Sequence, residues 1–149
     1  PAMKDPYKEA EDFARTFGQT EHALKRSGYL RKDKDIAEAD WDEFAKRLGP
    51  EFFQRIIASG IAITLLGDPP RRLLANMEWS PEETQPLTNV AQLIVNGVCR
   101  VRNSYLHGEK FVGGPKGQFQ RDATLVSEAH AVLCEAVKVL TNDPANLKR

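Results

Sequence analysis

The chain reads as an all-α protein, a single compact bundle of about five helices spanning 1–149. Three observations lead there. Apolar residues recur at steps of three and four over several long segments, the period of a helix with one buried face. No run alternates apolar and polar residues as a strand would. The boundaries of the periodic segments carry the residues that start and stop helices: aspartate, proline and glycine. At 149 residues the chain can bury a core without staples. Its 41% hydrophobic and 28% charged residues suit helices with solvated outer faces.

The first helix is predicted to start at Asp5-Pro6, an acceptor side chain followed by a proline in the first turn. Ala10, Phe13, Ala14, Phe17 and Leu24 form its apolar stripe, and Gly28 ends it. Residues 30–39 are charged and weakly patterned, which predicts a solvated connection. A second helix begins at Asp40, where Glu43 completes a capping box and Trp41, Phe44 and Leu48 face inward. Gly49-Pro50 ends it and opens a third, over 50–67. That helix is apolar nearly all round, through Phe52, Phe53, Ile56, Ile57, Ile61, Ile63, Leu65 and Leu66, and is expected at the centre of the bundle.

Residues 67–86 hold four prolines and no clear period. Leu73, Leu74, Met77 and Trp79 suggest a short turn pressed onto the body. A fourth helix over about 87–107 places Val90, Leu93, Ile94, Gly97, Val98, Val101 and Tyr105 on one face, with Gly108 as its stop. After a glycine-rich loop, 111-FVGGPKGQF-119, Asp122 is expected to cap a fifth helix. Its inner face is Leu125, Val126, Ala129, Leu133, Ala136, Val137 and Leu140. Pro1-Ala2 ahead of Met3 reads as an expression remnant, and 142–149 as a flexible tail.

Composition narrows the function. The formal net charge is zero, so any attraction to nucleic acid must be local. Cys99 and Cys134 make neither a disulfide framework nor a zinc site; they read as small apolar residues in a reducing cytoplasm. No apolar run approaches a membrane span, so a membrane partner is not expected.

The candidate site lies in 100-RVRNSYLHGEKF-111. Arginine and histidine at the end of a helix need no function, because both complement the negative end of its dipole. Spacing alone is weak as well, since Arg15 and His22 match R-x(4–6)-H inside the first helix. The surroundings of the second match are more informative. On an ideal helix Gln92, Asn96, Arg100, Asn103 and His107 fall within about 80° of one another, opposite the core stripe. This strip holds no carboxylate, whereas solvated faces ordinarily mix Glu with Lys. Downstream, Arg100, Arg102, Lys110, Lys116 and Arg121 stand against Glu109 alone, beside a 113-GGPKG-117 loop whose backbone N–H groups could approach a phosphate. Arg102 and His107 lie about 140° apart on an ideal helix. A shared cleft then requires unwinding near Gly108, a curled arginine, or two subunits.

RVRNxxxHG followed by Lys and Phe, with a later helix opening in Arg-Asp, resembles the HEPN superfamily. These all-α domains, many of them metal-independent RNases, carry an R-x(4–6)-H motif, commonly R-N-x-x-x-H. The segment 13-FARTFGQTEHALKRSGYL-30 also resembles the amino-terminal helix of one HEPN subgroup. The likeness covers the first helix and the chain after about residue 87, and only loosely the part between. Arg102, Asn103 and His107 match the motif residue by residue; Ser104 and Tyr105-Leu106 depart from the N-N-L-F-H form of close relatives.

The resemblance implies a metal-independent endoribonuclease without a cofactor, and a cytoplasmic toxin or anti-phage effector. The implied partners are RNA, a second copy of the chain, and a nucleotidyltransferase-type antitoxin. RNA supplies its own 2′-OH nucleophile. Histidine suits the proton transfers and arginine the phosphorane, so the expected roles are proton transfer for His107, charge stabilisation for Arg102 and positioning for Asn103. Arg100, Lys110, Lys116 and Arg121 are the expected phosphate contacts. Glu21, which would orient Arg102, and Tyr105 are secondary. The competing reading is a non-catalytic helical dimer that binds RNA or protein and keeps the motif for structure.

Overall fold

The computed structural model describes residues 6–80, 83–106 and 116–142. It is an all-α bundle of helices α1 (Pro6–Arg26), α2 (Trp41–Ser59), α3 (Ile63–Gly67), α4 (Val90–Gln92), α5 (Arg100–Leu106) and α6 (Lys116–Asn142). Between α4 and α5, Leu93–Cys99 is π-helical, and the backbone is right-handed helical at both junctions. The three pieces make one continuous central helix, packed on α1, α2, α3 and α6. Helix α1 packs extensively along α6, and α2 equally along the first two pieces of the central helix.

Helix α1 buries the predicted Ala10, Phe13, Phe17 and Leu24, and adds Thr20. The Thr20 hydroxyl bonds the Thr16 carbonyl at 2.7 Å, which satisfies it inside the core. Gly28 ends the helix as predicted, at φ 89°. The Tyr29 N–H returns to the Leu24 carbonyl and the Gly28 N–H to that of Lys25, the paired bonds of a Schellman turn. Residues 31–38 are all exposed, as their charge suggests, while Tyr29 beside them is 1% exposed.

Asp40 caps α2 by accepting the Glu43 N–H at 3.0 Å. The box is not reciprocal, because the Asp40 N–H already donates to the Tyr29 carbonyl. Gly49-Pro50 ends one helical segment and opens another, as predicted, and α2 is these two helices joined across a kink. A residue before proline is kept out of the α region, and Gly49 at φ 79°, ψ 173° takes a conformation open essentially to glycine alone.

The expected central helix over 50–67 breaks in two instead. Gly60, left-handed at φ 71°, ends α2, and the chain resumes as α3. Ile57 and Ile63, on either side of the break, are 47% and 71% exposed. The 90–106 helix takes the centre, burying Val90, Leu93, Ile94, Val98 and Val101. Gly97 allows its close approach: a Cβ there would meet Leu87 Cδ1 at 3.3 Å and Leu65 at 3.4 Å.

Residues 67–86 are only partly pressed onto the body. Pro69 and Pro70 are buried, whereas Leu74 and Met77 are exposed at the turn of a small hairpin. In it β1 (Arg72–Leu73) pairs antiparallel with β2 (Trp79–Ser80). Helix α6 starts at Lys116, ahead of the expected cap, so Asp122 lies inside the helix and is 2% exposed. Glu128 of α6 accepts the Leu65 N–H at 2.8 Å, capping α3 from outside.

Candidate functional site

Asn89 opens the central helix by accepting the Gln92 N–H at 2.9 Å. The Gln92 side-chain oxygen in return accepts the Thr88 N–H at 2.8 Å. This reciprocal capping fixes where the helix begins and holds Gln92 with its amide oxygen turned to Thr88. From there the π-helical turns reset the angular positions expected of an ideal helix. Gln92, Asn96 and Arg100 come together along one wall of a cavity of about 380 Å³; Asn103 does not join them and is exposed to solvent.

Arg102 points the other way, toward α1. Its guanidinium sits 4.9 Å from the centre of the Phe17 ring, a cation–π contact. Phe17 stacks in turn on Trp41, with ring centres 4.5 Å apart. Arg102 Nη1 donates to Asn103 Oδ1 at 3.3 Å. Among the described residues no carboxylate pairs with Arg102, so the expected contact with Glu21 is not made. Both groups nevertheless act on Cys99. Its thiol is pushed up to about 12, first by burial and then by the Glu21 carboxylate, while Arg102 and Arg100 pull it down.

The predicted phosphate contacts divide. Arg100 is half-buried on the cavity wall, its pKa lowered by burial and then by the neighbouring charge of Arg72. Arg121 is taken up inside the fold. It donates to Asp68 Oδ2 at 2.8 Å and to the Asp68 and Pro69 carbonyls at 3.0 and 3.4 Å. Asp68 also accepts the Thr84 hydroxyl. Sequence reading overlooked Asp68, whose partners lie too far along the chain for spacing to show. His107 and Lys110 lie outside the described residues, as do the side chains of Tyr105 and Lys116.

The decoy pair separates from this site. Arg15 is exposed and within 3.8 Å of Asp12, and His22 accepts from Arg26 at 3.4 Å on the same solvated face. A third histidine, also passed over, bridges α1 and α6. His130 Nε2 lies 3.2 Å from the Thr16 hydroxyl, and its Nδ1 lies 3.5 Å from the Glu9 carboxylate. None of these three residues lines the cavity, and their arrangement ties two helices together.

Among the described residues, no group of three or more His, Cys, Asp or Glu is placed to hold a metal ion, and no helix is long and apolar enough to cross a membrane. Comparison with known protein families, with curated proteins and with solved structures finds no match to this chain.

Proposed function

We propose that the chain is a metal-independent endoribonuclease of the HEPN type, a toxin or anti-phage effector working as a homodimer. The observation that supports this reading is the seat of Arg102. Phe17, from one segment that resembles the superfamily, carries the guanidinium of Arg102, from the other. Asn103 of the same motif accepts its hydrogen bond. A guanidinium held by an aromatic face and an amide, with no carboxylate paired to it among the described residues, has N–H groups left to donate to a phosphorane. His107 supplies the proton transfers in this reading. The 2′-OH attacks the adjacent phosphorus, the bond to the 5′-oxygen breaks, and the fragments end in a 2′,3′-cyclic phosphate and a 5′-hydroxyl.

The same seat also supports the second reading, a non-catalytic RNA- or protein-binding module, because a cation–π contact at a helix interface stabilises the fold without chemistry. Incubating RNA with the purified chain in EDTA separates the two. Cleavage is expected to fall by about 10²–10³ in Arg102→Ala and to be abolished in His107→Ala. Arg102→Lys, which keeps the charge but not the fork, should recover only a small part. Equal cleavage by all of these, or none by the folded native chain, favours the module.

A further inference from the structure

The cavity beside the central helix has walls fixed by the fold. Pro69 and Pro70, both buried, form one side, and Pro86 and Leu87 the other. Asp68, which accepts from Arg121 and Thr84, anchors the first side, and the Leu87 N–H ties the second to the Leu66 carbonyl at 2.8 Å. The central helix adds Gln92, Asn96 and Arg100. The Gln92 side-chain oxygen accepts both the N–H and the hydroxyl of Thr88, so the amide N–H groups of Gln92 are left to donate to a ligand. Among the described residues, the side chains of Asn96 and Arg100 have no hydrogen-bond or ion-pair partner.

This lining sorts ligands by their chemistry. A half-buried guanidinium without an acceptor calls for an anion whose oxygens match its fork. Among the lining residues the charged ones are Arg100 and Glu83, and their charges cancel. A dianion would set its second charge against Glu83, so a single negative charge is the better match. A carboxylate meets both conditions. Three prolines and a leucine offer apolar surface, so the rest of the ligand is hydrocarbon. The volume stands near the low end of the roughly 300–1,000 Å³ of small-molecule pockets, which keeps the ligand small.

From these features we infer that the cavity binds a small monocarboxylic acid with an apolar body. The carboxylate lies on the fork of Arg100 beside the Gln92 and Asn96 amides, and the hydrocarbon lies against the prolines and Leu87. The site uses neither Arg102 nor Asn103, and it stands whether or not the chain cleaves RNA.

Amide-resolved NMR titration of the native chain tests this, with acetate, isovalerate, benzoate, cinnamate and inorganic phosphate as probes. The primary amides of the three larger acids serve as uncharged matches. At least one of the larger acids is expected to bind with Kd below about 1 mM. Acetate, which lacks the hydrocarbon, should bind about tenfold more weakly. The amide of the acid that binds keeps its shape and loses its charge, and it too should bind about tenfold more weakly. Arg100→Gln should weaken the acid by a similar factor, whereas Arg102→Ala should leave it unchanged. Glu83→Gln, at an exposed position, should hold the acid as tightly or more tightly. The comparison of acid with amide needs only the native chain, so it decides the matter even where Arg100→Gln fails to fold. The inference is overturned if no acid binds, if the amides or phosphate bind as tightly as the acids, or if folded Arg100→Gln binds them unchanged. Acid binding by a chain that leaves RNA whole would sink the ribonuclease reading and leave this site standing.

Discussion

At Cys99 the consequences of burial can be measured directly. Its thiol is raised from an ordinary 9.0 to about 12 by burial and Glu21, and burial also raises Cys134. The protonated thiol is therefore favoured in the folded chain. Stability from Cys99 is fully present below the unfolded pKa and is lost as pH rises from there through about 12. Urea unfolding at increasing alkaline pH should show a steeper loss in the native chain than in Cys99→Ala; parallel curves would count against the burial. Both thiols should also react with a thiol reagent at least about tenfold more slowly in the folded chain than in the unfolded one. Local sequence made Arg102 and Asn103 legible, since the two are adjacent in a recognisable motif. It could not show Phe17 as the seat of Arg102, or Asp68 as the partner of Arg121, because those contacts join distant parts of the chain.

The elements were legible where periodicity and punctuation agreed. Helix α1 combined an apolar stripe with a glycine stop, and both are found where expected. They were misread where one signal overrode another. In 50–67 the long apolar run hid the glycine that splits it, and in α6 an acceptor residue, Asp122, suggested a start that lies inside the helix. The π-helical Leu93–Cys99 leaves no mark in an apolar pattern; of the polar strip read from the sequence, Gln92, Asn96 and Arg100 line the cavity while Asn103 is exposed to solvent. The kink of α2 offers a test of backbone physics. Gly49→Ala puts a Cβ on a residue at φ 79°, ψ 173°, and should destabilise the chain by about 1–3 kcal/mol in urea unfolding. The space around Gly49 is open, with nothing within 4 Å of an added Cβ, so a loss there reports strain and not a clash.

For the whole molecule, the fold class followed from the pattern of apolar residues, and the buried side chains form one cluster drawing on α1, α2, α3, α6 and the central helix. Of the five basic residues expected in one patch, the three arginines with described side chains point different ways. Arg102 faces α1, Arg100 faces the cavity and Arg121 pins the segment that walls it. In the proposed homodimer, Arg102 of one copy works with His107 of the other. Mixing inactive Arg102→Ala with inactive His107→Ala after co-refolding should then restore about a quarter of native cleavage, the statistical share of sites with both residues intact. No recovery, from a pair shown to associate, would place the site within one chain.

The most direct test of the central claim is the chemistry of the RNA ends left by the native chain in EDTA. Attack by the 2′-OH, with Arg102 on the phosphorane, predicts 2′,3′-cyclic phosphate and 5′-hydroxyl termini that disappear with Arg102→Ala. Fragments ending in 5′-phosphate, or RNA left whole by the folded chain, would contradict it.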